Sequence, residues 1–258
     1  MVKIFVSSRQ IEQDQVTVTG SDAHHLRSVL RKKPGDELLI GITDGPANRQ
    51  SAGAKVRTYK SVIAAVDSHQ VVCQLLDPVE IQSESPLATY LYQAVAKGDK
   101  MDLIIQKSVE LGVTEIIPFF SRYTVVNLTG EKSRQRQERW QKIAEAAAKQ
   151  CRRDLIPRVH LPVNFDYLFT MLGNRAPGHL LLMPYEQAQN RGLAQLQDLQ
   201  PEQVSIVIGP EGGFCPEEVE KIKSIKGEII TLGNRILRTE TAAVAVMALV
   251  QFLWGDLG

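Results

Sequence analysis

Apolar and polar residues alternate over short stretches in the first part of the chain. Residues 16–19 show this pattern, and residues 37–42, 62–66 and 70–76 are further short strands predicted from their apolar content and the turns around them. Such alternation is typical of half-buried strands, and several short strands joined by turns favour a small β-barrel. Between the first two strands, residues 22–31 predict a short helix with Asp22 as its N-cap and Leu26, Val29 and Leu30 on one face.

Helical periodicity and longer apolar runs replace this alternation from residue 87 onward. Five strands are predicted, over residues 88–94, 115–118, 180–183, 204–208 and 229–232. Three helices are predicted over residues 101–111, 132–152 and 239–253, and the first of them ends at Gly112. Because strands alternate with helices, this part of the chain favours a parallel α/β sheet.

A short polar segment separates the two patterns. Residues 77–86 contain two prolines, three acidic residues and two serines, a composition that is typical of a linker. The sequence therefore predicts a β-barrel domain over residues 1–76, a linker over residues 77–86, and an α/β domain over residues 87–258.

The composition is that of an ordinary folded protein, with 43% hydrophobic and 23% charged residues and a formal net charge of +1. A nucleic-acid partner would therefore have to meet a local basic surface. Cys73, Cys151 and Cys215 form no CxxC pair or Cys/His cluster, so we expect neither zinc nor a disulfide framework. No apolar run approaches the roughly 20 residues that span a bilayer, and the start is too quickly polar for a signal peptide. We expect a cytoplasmic protein without membrane segment or metal.

A glycine-rich loop, residues 209–213 (Gly-Pro-Glu-Gly-Gly), follows the strand predicted at residues 204–208 and precedes a helix that Pro216 opens. Ligands of parallel α/β sheets bind at the carboxyl ends of the strands, where this loop lies. The loop is neither G-x-G-x-x-G nor a P-loop, and Glu211, Glu217 and Glu218 would repel a phosphate. A neutral or cationic ligand such as a sulfonium fits better, although a purely structural turn accounts for this loop equally well on its own.

A second loop, residues 232–238, joins the last predicted strand to the last helix, for which Thr239 is a candidate N-cap. Ile236 and Leu237 have two interpretations. They form a wall for an adenine, or they plug the core, and for this loop alone the second interpretation is favoured. Arg238 likewise pairs with an acid or reaches toward a phosphate.

Both loops lie in segments that resemble the two C-terminal signatures of the RsmE family. These are Ile-Gly-Pro-Glu-Gly-Gly-Phe at residues 208–214 and Leu-Gly-Asn-Arg-Ile-Leu-Arg-Thr-Glu-Thr-Ala at residues 232–242. Further motifs of the family are matched, in order, at residues 25–36, 107–113 and 139–153. Two positions depart from the pattern: Lys149 stands where glutamate is expected, and Cys215 where serine or threonine is common.

The resemblance implies an S-adenosylmethionine-dependent methyltransferase of the SPOUT superfamily, which modifies N3 of a specific uridine in 16S ribosomal RNA, either naked or in the assembled small subunit. It also implies an N-terminal PUA-like β-barrel that binds RNA, a C-terminal α/β domain whose parallel sheet carries a trefoil knot, and a homodimer. The cofactor would lie in the knot against Leu182, Met183, Pro184, Gly209, Pro210, Glu211, Gly212, Gly213, Leu232, Gly233, Asn234, Ile236, Leu237 and Thr241.

Methylation of N3 requires that its proton is removed or that the resulting anion is stabilised. Arg238 is the first catalytic candidate, because a guanidinium can stabilise negative charge on the uracil oxygens. Glu211 or Glu240 would accept the proton or orient the arginine, although Glu240 also suits the positive end of a helix dipole. No single base is assigned from the sequence.

Basic residues that suit RNA phosphates fall in two regions. Residues 131–158 hold nine Lys/Arg against four acidic residues, a ratio that also suits a solvated helix face with i,i+4 ion pairs. The RNA-binding candidates are Arg9, Arg27, Arg31, Lys32 and Lys33 in the first domain, and Arg152 and Arg153 at the end of the long helix. His24 and His25 are interpreted as structural.

Three other functions are compatible with parts of the sequence. A non-catalytic RNA-binding relative would not need both loops intact, as they are here. A SPOUT methyltransferase that acts on transfer RNA fits less well with the N-terminal barrel and with residues 235–241. A nucleotide-binding oxidoreductase would require a dinucleotide fingerprint, which the sequence lacks.

Overall fold

The computed structural model describes residues 1–43, 56–80, 83–126, 128–189 and 191–258. These residues form two compact units, one of Met1–Glu84 with Ala148–Ile156 and one of Ser85–Ala147 with Pro157–Gly258. The first unit thus includes residues 148–156, which the sequence pattern assigns to the second domain. Within the described ranges, no helix is long and apolar enough to cross a membrane.

A single curled sheet forms the first unit. Its strands are β1 (Lys3–Ser7), β2 (Ile11–Glu12), β3 (Gln15–Thr19), β4 (Glu37–Thr43), β5 (Arg57–Val66) and β6 (Gln70–Val79). They lie in the order β1-β4-β5-β6-β3-β2, with β1 parallel to β4 and the other neighbours antiparallel. The β-rich first part is confirmed. However, β1 and β2 lie outside the predicted strands, and β6 continues to Val79, into the predicted linker.

Alternate residues of these strands supply the core of the first unit. The side chains that are nearly inaccessible include Ile4, Val6, Val16, Val18, Leu38 and Ile40. Successive side chains of a strand point to opposite faces, so a period of two in the sequence places one apolar set on the inner face of the sheet.

The predicted N-terminal helix is divided into α1 (Gly20–His24) and one π-helical turn (His25–Val29). Asp22 lies inside the first turn because the helix begins earlier than predicted. The N-cap position belongs to Thr19, whose side chain makes no capping hydrogen bond. The Asp22 carboxylate instead accepts a hydrogen bond from Lys149 Nζ at 2.8 Å. The lysine that departs from the family pattern therefore has a partner within its own unit.

The predicted apolar face of this helix is correct at one position of three. Leu26 is fully buried, but Val29 is 61% exposed and Leu30 37% exposed. A π-helical turn holds more residues than an α-helical turn. Residues after Leu26 therefore rotate away from the face that a regular helix would have given them.

A buried ion pair attaches residues 148–156 to the sheet of the first unit. Lys3 is 2% exposed, and its Nζ donates to the carbonyl oxygen of Arg153 at 2.9 Å and pairs with the carboxylate of Asp154. The hydroxyl of Thr58 donates to the same carboxylate. Each of the two buried charges is thus paired and hydrogen-bonded, as burial of a charge requires.

The side chain of Arg153 is part of this attachment rather than of the surface. Arg153 is 4% exposed, and its Nε donates to Glu84 Oε2 at 3.0 Å. A phosphate group has no access to a guanidinium that is buried in this way, so the prediction that Arg153 contacts RNA is wrong. Its neighbour Arg152 is exposed, with a left-handed φ of +62°.

A seven-stranded parallel sheet forms the second unit. Its strands are β7 (Ala88–Ala94), β8 (Glu115–Phe120), β9 (Arg158–Val159), β10 (Val163–Asn164), β11 (His179–Pro184), β12 (Gln203–Ile208) and β13 (Glu228–Ile230). The order is β10-β8-β7-β12-β11-β13, β9 also pairs with β8, and all these pairs are parallel. The predicted parallel α/β fold is confirmed. The trefoil knot stays a prediction.

Among the residues that the structure describes, five α-helices accompany this sheet: α2 (Lys100–Glu110), α3 (Gly130–Gln150), α4 (Phe165–Gly173), α5 (Pro216–Ser224) and α6 (Thr239–Trp254). The sequence pattern did not predict α4, although its buried residues Phe165, Leu168 and Leu172 recur at helical spacing. Its start does carry a signal, because the Asn164 side chain accepts a hydrogen bond from the Tyr167 N–H at 2.7 Å. Strand β13 ends at Ile230, so the predicted strand at residues 229–232 extends too far.

We predict that Lys3→Met lowers the free energy of unfolding by about 3–5 kcal/mol, because it leaves the Asp154 carboxylate buried without its cation. Chemical denaturation followed by circular dichroism measures this loss. Lys60→Met, which removes an exposed lysine of β5, is the control and should change stability by less than about 0.5 kcal/mol. Equal effects of the two substitutions would show that the buried pair of Lys3 and Asp154 contributes no more to stability than an exposed lysine does.

Candidate active site

A cavity of about 560 Å³ opens at the carboxyl ends of β11 and β12. Its lining comes from three chain segments: residues 184–186 at the end of β11, residues 208–214 after β12, and residues 231–239 before and at the start of α6. Lys100 and Ala242 complete the lining. Parallel strands bring their carboxyl ends to one edge of the sheet, which is where α/β proteins bind ligands. The cavity therefore contains both glycine-bearing loops that the sequence singles out.

Two glycines of the first loop leave no room for a side chain. Gly213 has a φ of +72°, which is left-handed, and a Cβ there would lie 2.8 Å from Glu186 Oε1. A Cβ on Gly209 would lie 2.9 Å from the ring of Phe214. The chain passes close to its neighbours at both positions, so the loop requires glycine for a structural reason as well as for ligand access.

The helix that follows this loop is capped by a buried glutamate. Glu218 is 5% exposed, and its Oε2 accepts hydrogen bonds from the Cys215 N–H and the Ser121 hydroxyl, both at 3.1 Å. Its Oε1 accepts from the Arg122 N–H at 2.9 Å. The thiol of Cys215 is not needed as a cap, and burial raises the pKa of this thiol. As the sequence indicated, the departure at Cys215 leaves the start of α5 intact.

The second loop is fastened to the first through Thr239. Its hydroxyl donates to the carbonyl oxygen of Gly209 at 2.7 Å and accepts a hydrogen bond from Gln93 Nε2 at 3.0 Å. Thr239 is only 6% exposed. The N-cap position of α6 belongs to Arg238, whose side chain makes no capping hydrogen bond. Thr239 therefore links β7, the glycine-rich loop and α6 through hydrogen bonds of its side chain. The prediction that it caps the helix is wrong.

Glu211 and Glu240, the two predicted proton acceptors, both face Lys100. Lys100 Nζ lies 2.9 Å from Glu211 Oε1 and 3.9 Å from Glu240 Oε2. Burial by itself would raise the pKa of Glu211, but hydrogen bonds from Lys100 and from the backbone N–H groups of Glu211 and Lys97 hold the pKa below its ordinary value. Glu211 is therefore a weak base at neutral pH.

Arg238 also lines the cavity, and its exposed side chain has no ion pair or hydrogen bond with any residue that the structure describes. The two glutamates consequently do not orient this arginine, contrary to one of the two roles predicted for them. Its guanidinium is available to a ligand instead.

Most of the predicted cofactor-binding residues line the cavity: Pro184, Gly209, Pro210, Glu211, Gly212, Gly213, Leu232, Gly233, Asn234, Ile236 and Leu237. Leu182 and Met183 do not, because they are fully buried within β11, and only the last residue of that strand reaches the edge of the sheet. Thr241 is exposed on α6 outside the lining. The lining residues that sequence reasoning did not assign to the site are Lys100, Tyr185, Glu186, Ile208, Phe214, Thr231, Arg235, Thr239 and Ala242.

The two apolar residues of the second loop do not plug the core. Ile236 is 85% exposed and Leu237 is half-buried, and both line the cavity. An exposed isoleucine at the mouth of a cavity offers an apolar surface to a ligand. The interpretation favoured for the loop in isolation is therefore wrong for Ile236.

Of the predicted RNA-binding residues, Arg9, Arg31, Lys33 and Arg152 are exposed, and Lys32 lies 3.8 Å from Asp36. Arg27 lines a smaller cavity of about 340 Å³ in the first unit, together with His24 and His69. Its Nη1 donates to the carbonyl oxygens of Asp67 and Ser68. His24 is exposed there and shows no structural role of the kind predicted for it.

Residues 83–251 match a family model described as an RNA methyltransferase domain, and residues 18–45 match one described as an RNA methyltransferase PUA domain. A Bacillus subtilis protein named ribosomal RNA small subunit methyltransferase E is 31% identical over 96% of this chain and 94% of its own. Within the described ranges, no group of three or more His, Cys, Asp or Glu is placed to hold a metal ion.

Two solved structures share the architecture over essentially their whole length. The ribosomal RNA small subunit methyltransferase E of Neisseria gonorrhoeae, bound to S-adenosyl methionine, is 28% identical with a TM-score of 0.83 over 100% of both chains. A Legionella pneumophila protein in complex with the bound cofactor SAM is 30% identical with a TM-score of 0.84 over 99% of both chains.

We predict that Thr239→Val lowers the free energy of unfolding by about 2 kcal/mol, because it leaves the Gly209 carbonyl and the Gln93 amide without their buried partner. Thermal and chemical denaturation measure the change. Thr241→Val is the matched control, because it makes the same substitution at an exposed position of the same helix. If Thr239→Val loses no more free energy of unfolding than Thr241→Val, the proposed link through Thr239 is refuted.

Proposed function

This chain belongs to the RNA methyltransferase family, and we propose that it transfers the methyl group of S-adenosylmethionine to N3 of a specific uridine in 16S ribosomal RNA of the small subunit. One observation carries the proposal: the two loops that match the family's C-terminal signatures meet in a single cavity at the carboxyl edge of a parallel sheet. The non-catalytic alternative is disfavoured because both loops are intact and converge.

The cavity has the chemistry that this cofactor needs. Ile236, Leu237 and Pro184 offer apolar surface for an adenine, and the glycines of residues 209–213 bring backbone N–H and C=O groups close to a ligand. Glu186 and Glu211 supply negative charge on the same lining, which suits a cation. When it is bound, S-adenosylmethionine supplies an electrophilic methyl group.

Arg238 is the proposed catalytic residue for the uracil. Removal of the N3 proton leaves negative charge on the flanking uracil oxygens, and a planar guanidinium can donate to such oxygens. The Arg238 guanidinium lines the cavity without a partner among the described residues. Because Glu211 is a weak base, the acidic candidate for the proton acceptor is Glu240, whose Oε2 is buried without a hydrogen bond from any described residue.

RNA contact is proposed for the exposed cations of the first unit and for Arg152. The cavity around Arg27 supports this assignment, since two backbone carbonyls hold the guanidinium in place and two histidines lie beside it. Either naked 16S RNA or the assembled small subunit would present phosphates to these groups. The three cysteines are free, which agrees with the proposed cytoplasmic location.

A homodimer is also proposed. Leu249 and Phe252 of α6 are 44% and 61% exposed, and Leu103 of α2 is 44% exposed. Helices α2 and α6 pack against each other in the second unit. Apolar side chains of this size on two neighbouring helices support a contact with a second copy of the chain.

We predict that the purified protein methylates N3 of uridine in small-subunit RNA or subunits, and that Arg238→Ala lowers the rate about 10²–10³-fold by removing charge stabilisation in the transition state. Labelled S-adenosylmethionine and mass mapping of the RNA measure both the rate and the modified atom.

Cofactor binding is the control for this prediction, because Arg238→Ala should bind S-adenosylmethionine as the unaltered protein does while the transfer fails. No methyl incorporation into naked RNA or assembled subunits would refute the enzymatic proposal. Methylation of a base other than uracil would refute only the substrate.

We predict that Arg27→Gln weakens RNA binding about threefold to tenfold and reduces the slope of log affinity against log salt by about one, as expected for one lost phosphate contact. Filter binding at several salt concentrations measures both quantities. Arg57→Gln removes an exposed arginine from the same unit outside the cavity and is the matched control. An unchanged salt slope in Arg27→Gln would remove Arg27 from the RNA-binding surface.

A further inference from the structure

Lys100 pairs with Glu211 of the cavity lining and with Glu240 of α6, although no motif in the sequence marks it. It is the first residue of α2, and its side chain reaches the cavity lining. Glu211 follows β12 and Glu240 is the second residue of α6, so the two carboxylates belong to different segments of the chain. The ammonium of Lys100 lies within 4 Å of both, at 2.9 Å and 3.9 Å.

Glu211 is held from two directions on the same oxygen. Its Oε1 accepts a hydrogen bond from Lys100 Nζ at 2.9 Å and another from the Lys97 N–H at 3.1 Å. Lys97 lies in the segment that joins β7 to α2, and Lys100 is the first residue of α2. The carboxylate is therefore fixed against a part of the chain that does not belong to its own loop, and the loop at residues 209–213 is fixed with it.

Lys100 also changes the net charge of the group that it forms with Glu211 and Glu240. Two carboxylates and one ammonium leave this cluster with one net negative charge, and without the ammonium the two carboxylates would repel each other. Glu240 Oε2 is buried and has no hydrogen-bond partner among the described residues, so the cation at 3.9 Å is its compensating group. The lysine thus places one positive charge beside two carboxylates that come from different segments of the chain.

We propose that Lys100 is a positioning residue of the methyl-transfer site, which holds Glu211 in the place and the ionised state that cofactor binding requires. This inference rests on the proposed function. Lys100 acts through the carboxylate, and the glycine-rich loop transmits its effect to the cavity.

The direction in which the affinity for S-adenosylmethionine changes distinguishes this positioning role from a direct electrostatic effect of Lys100. S-adenosylmethionine carries a sulfonium, so the loss of a nearby positive charge would by itself strengthen cofactor binding. Loss of the positioning role would weaken binding instead, because Glu211 and its loop lose their anchor. A lysine that merely lines the cavity predicts tighter binding, and a lysine that positions Glu211 predicts weaker binding.

The experiment measures the dissociation constant of S-adenosylmethionine by calorimetry on the full chain, without RNA. Lys100→Met should weaken binding about tenfold, the size expected for one charge-assisted hydrogen bond. Lys100→Arg should restore most of the affinity. The matched control is Lys107→Met, which removes a lysine from the same helix that pairs with Glu110 at 2.8 Å outside the cavity, and it should leave the affinity unchanged.

A double-mutant cycle tests whether the effect passes through Glu211. In a Glu211→Gln background, Lys100→Met should cost little further affinity, since the group that it positions is already altered. Additive losses would overturn the proposal, as would unchanged or tighter binding by Lys100→Met. Failure of the unaltered protein to bind S-adenosylmethionine would instead refute the proposed function, so the two failures are distinguishable.

The pH dependence of cofactor binding gives a readout that a purely structural role would not move. Without the lysine, burial still acts on Glu211, so its pKa rises and the carboxylate takes up a proton at higher pH. The loss of affinity on acidification should therefore begin at higher pH in Lys100→Met than in the unaltered protein or in Lys100→Arg. Identical pH profiles for all three proteins would overturn the proposed effect on the charge state of Glu211.

Discussion

The hydroxyl of Thr239 is the point on which the geometry of the cavity depends. It donates to the carbonyl oxygen of Gly209 and accepts from the carboxamide of Gln93, so one side chain joins the end of β12, the end of β7 and the start of α6. The contact with Gln93 is buried and the contact with Gly209 is partly buried, and an unmade hydrogen bond away from water is costly. In the sequence, helix α5 and strand β13 separate the glycine-rich loop from the second loop at residues 232–238. The hydroxyl of Thr239 fixes the distance between these two loops in the fold.

The parallel sheet imposes the second constraint, because only the final residues of a strand reach its carboxyl edge. This explains which parts of the site the sequence could predict. The two glycine-bearing loops follow apolar strands directly, so their place at the edge could be inferred from strand order alone. Leu182 and Met183 were assigned to the cavity with Pro184, yet they lie within β11 and are fully buried. A one-dimensional pattern shows where a strand is but does not show at which residue it leaves the core.

The parts of the site that could not be predicted are those made by contacts between distant segments. Lys100 and Glu211 are separated by 111 positions, and nothing in either local sequence indicates that they meet. Arg153 is the opposite case, because its local sequence did suggest a role and that role was wrong. The basic run around it suggested a place on the surface, but its guanidinium is buried against Glu84. Charge and periodicity describe a residue's neighbours along the chain, whereas burial and pairing depend on which other element the fold brings beside it.

The separation of charges in the cavity has a consequence for the proposed reaction. The sulfonium of the cofactor and the deprotonated uracil carry opposite charges, and both charges disappear as the methyl group is transferred. A site that stabilised either charge too strongly in the ground state would raise the barrier, since only interactions that are stronger in the transition state accelerate the reaction. Two uncompensated carboxylates beside the cavity would favour the charged ground state of a bound sulfonium in this way. By pairing with Glu211 and approaching Glu240, Lys100 reduces their net charge to one, while Arg238 stays free of both acids for the uracil. The same lysine that fixes the position of Glu211 thus also limits how strongly the cavity holds the charge that must be lost.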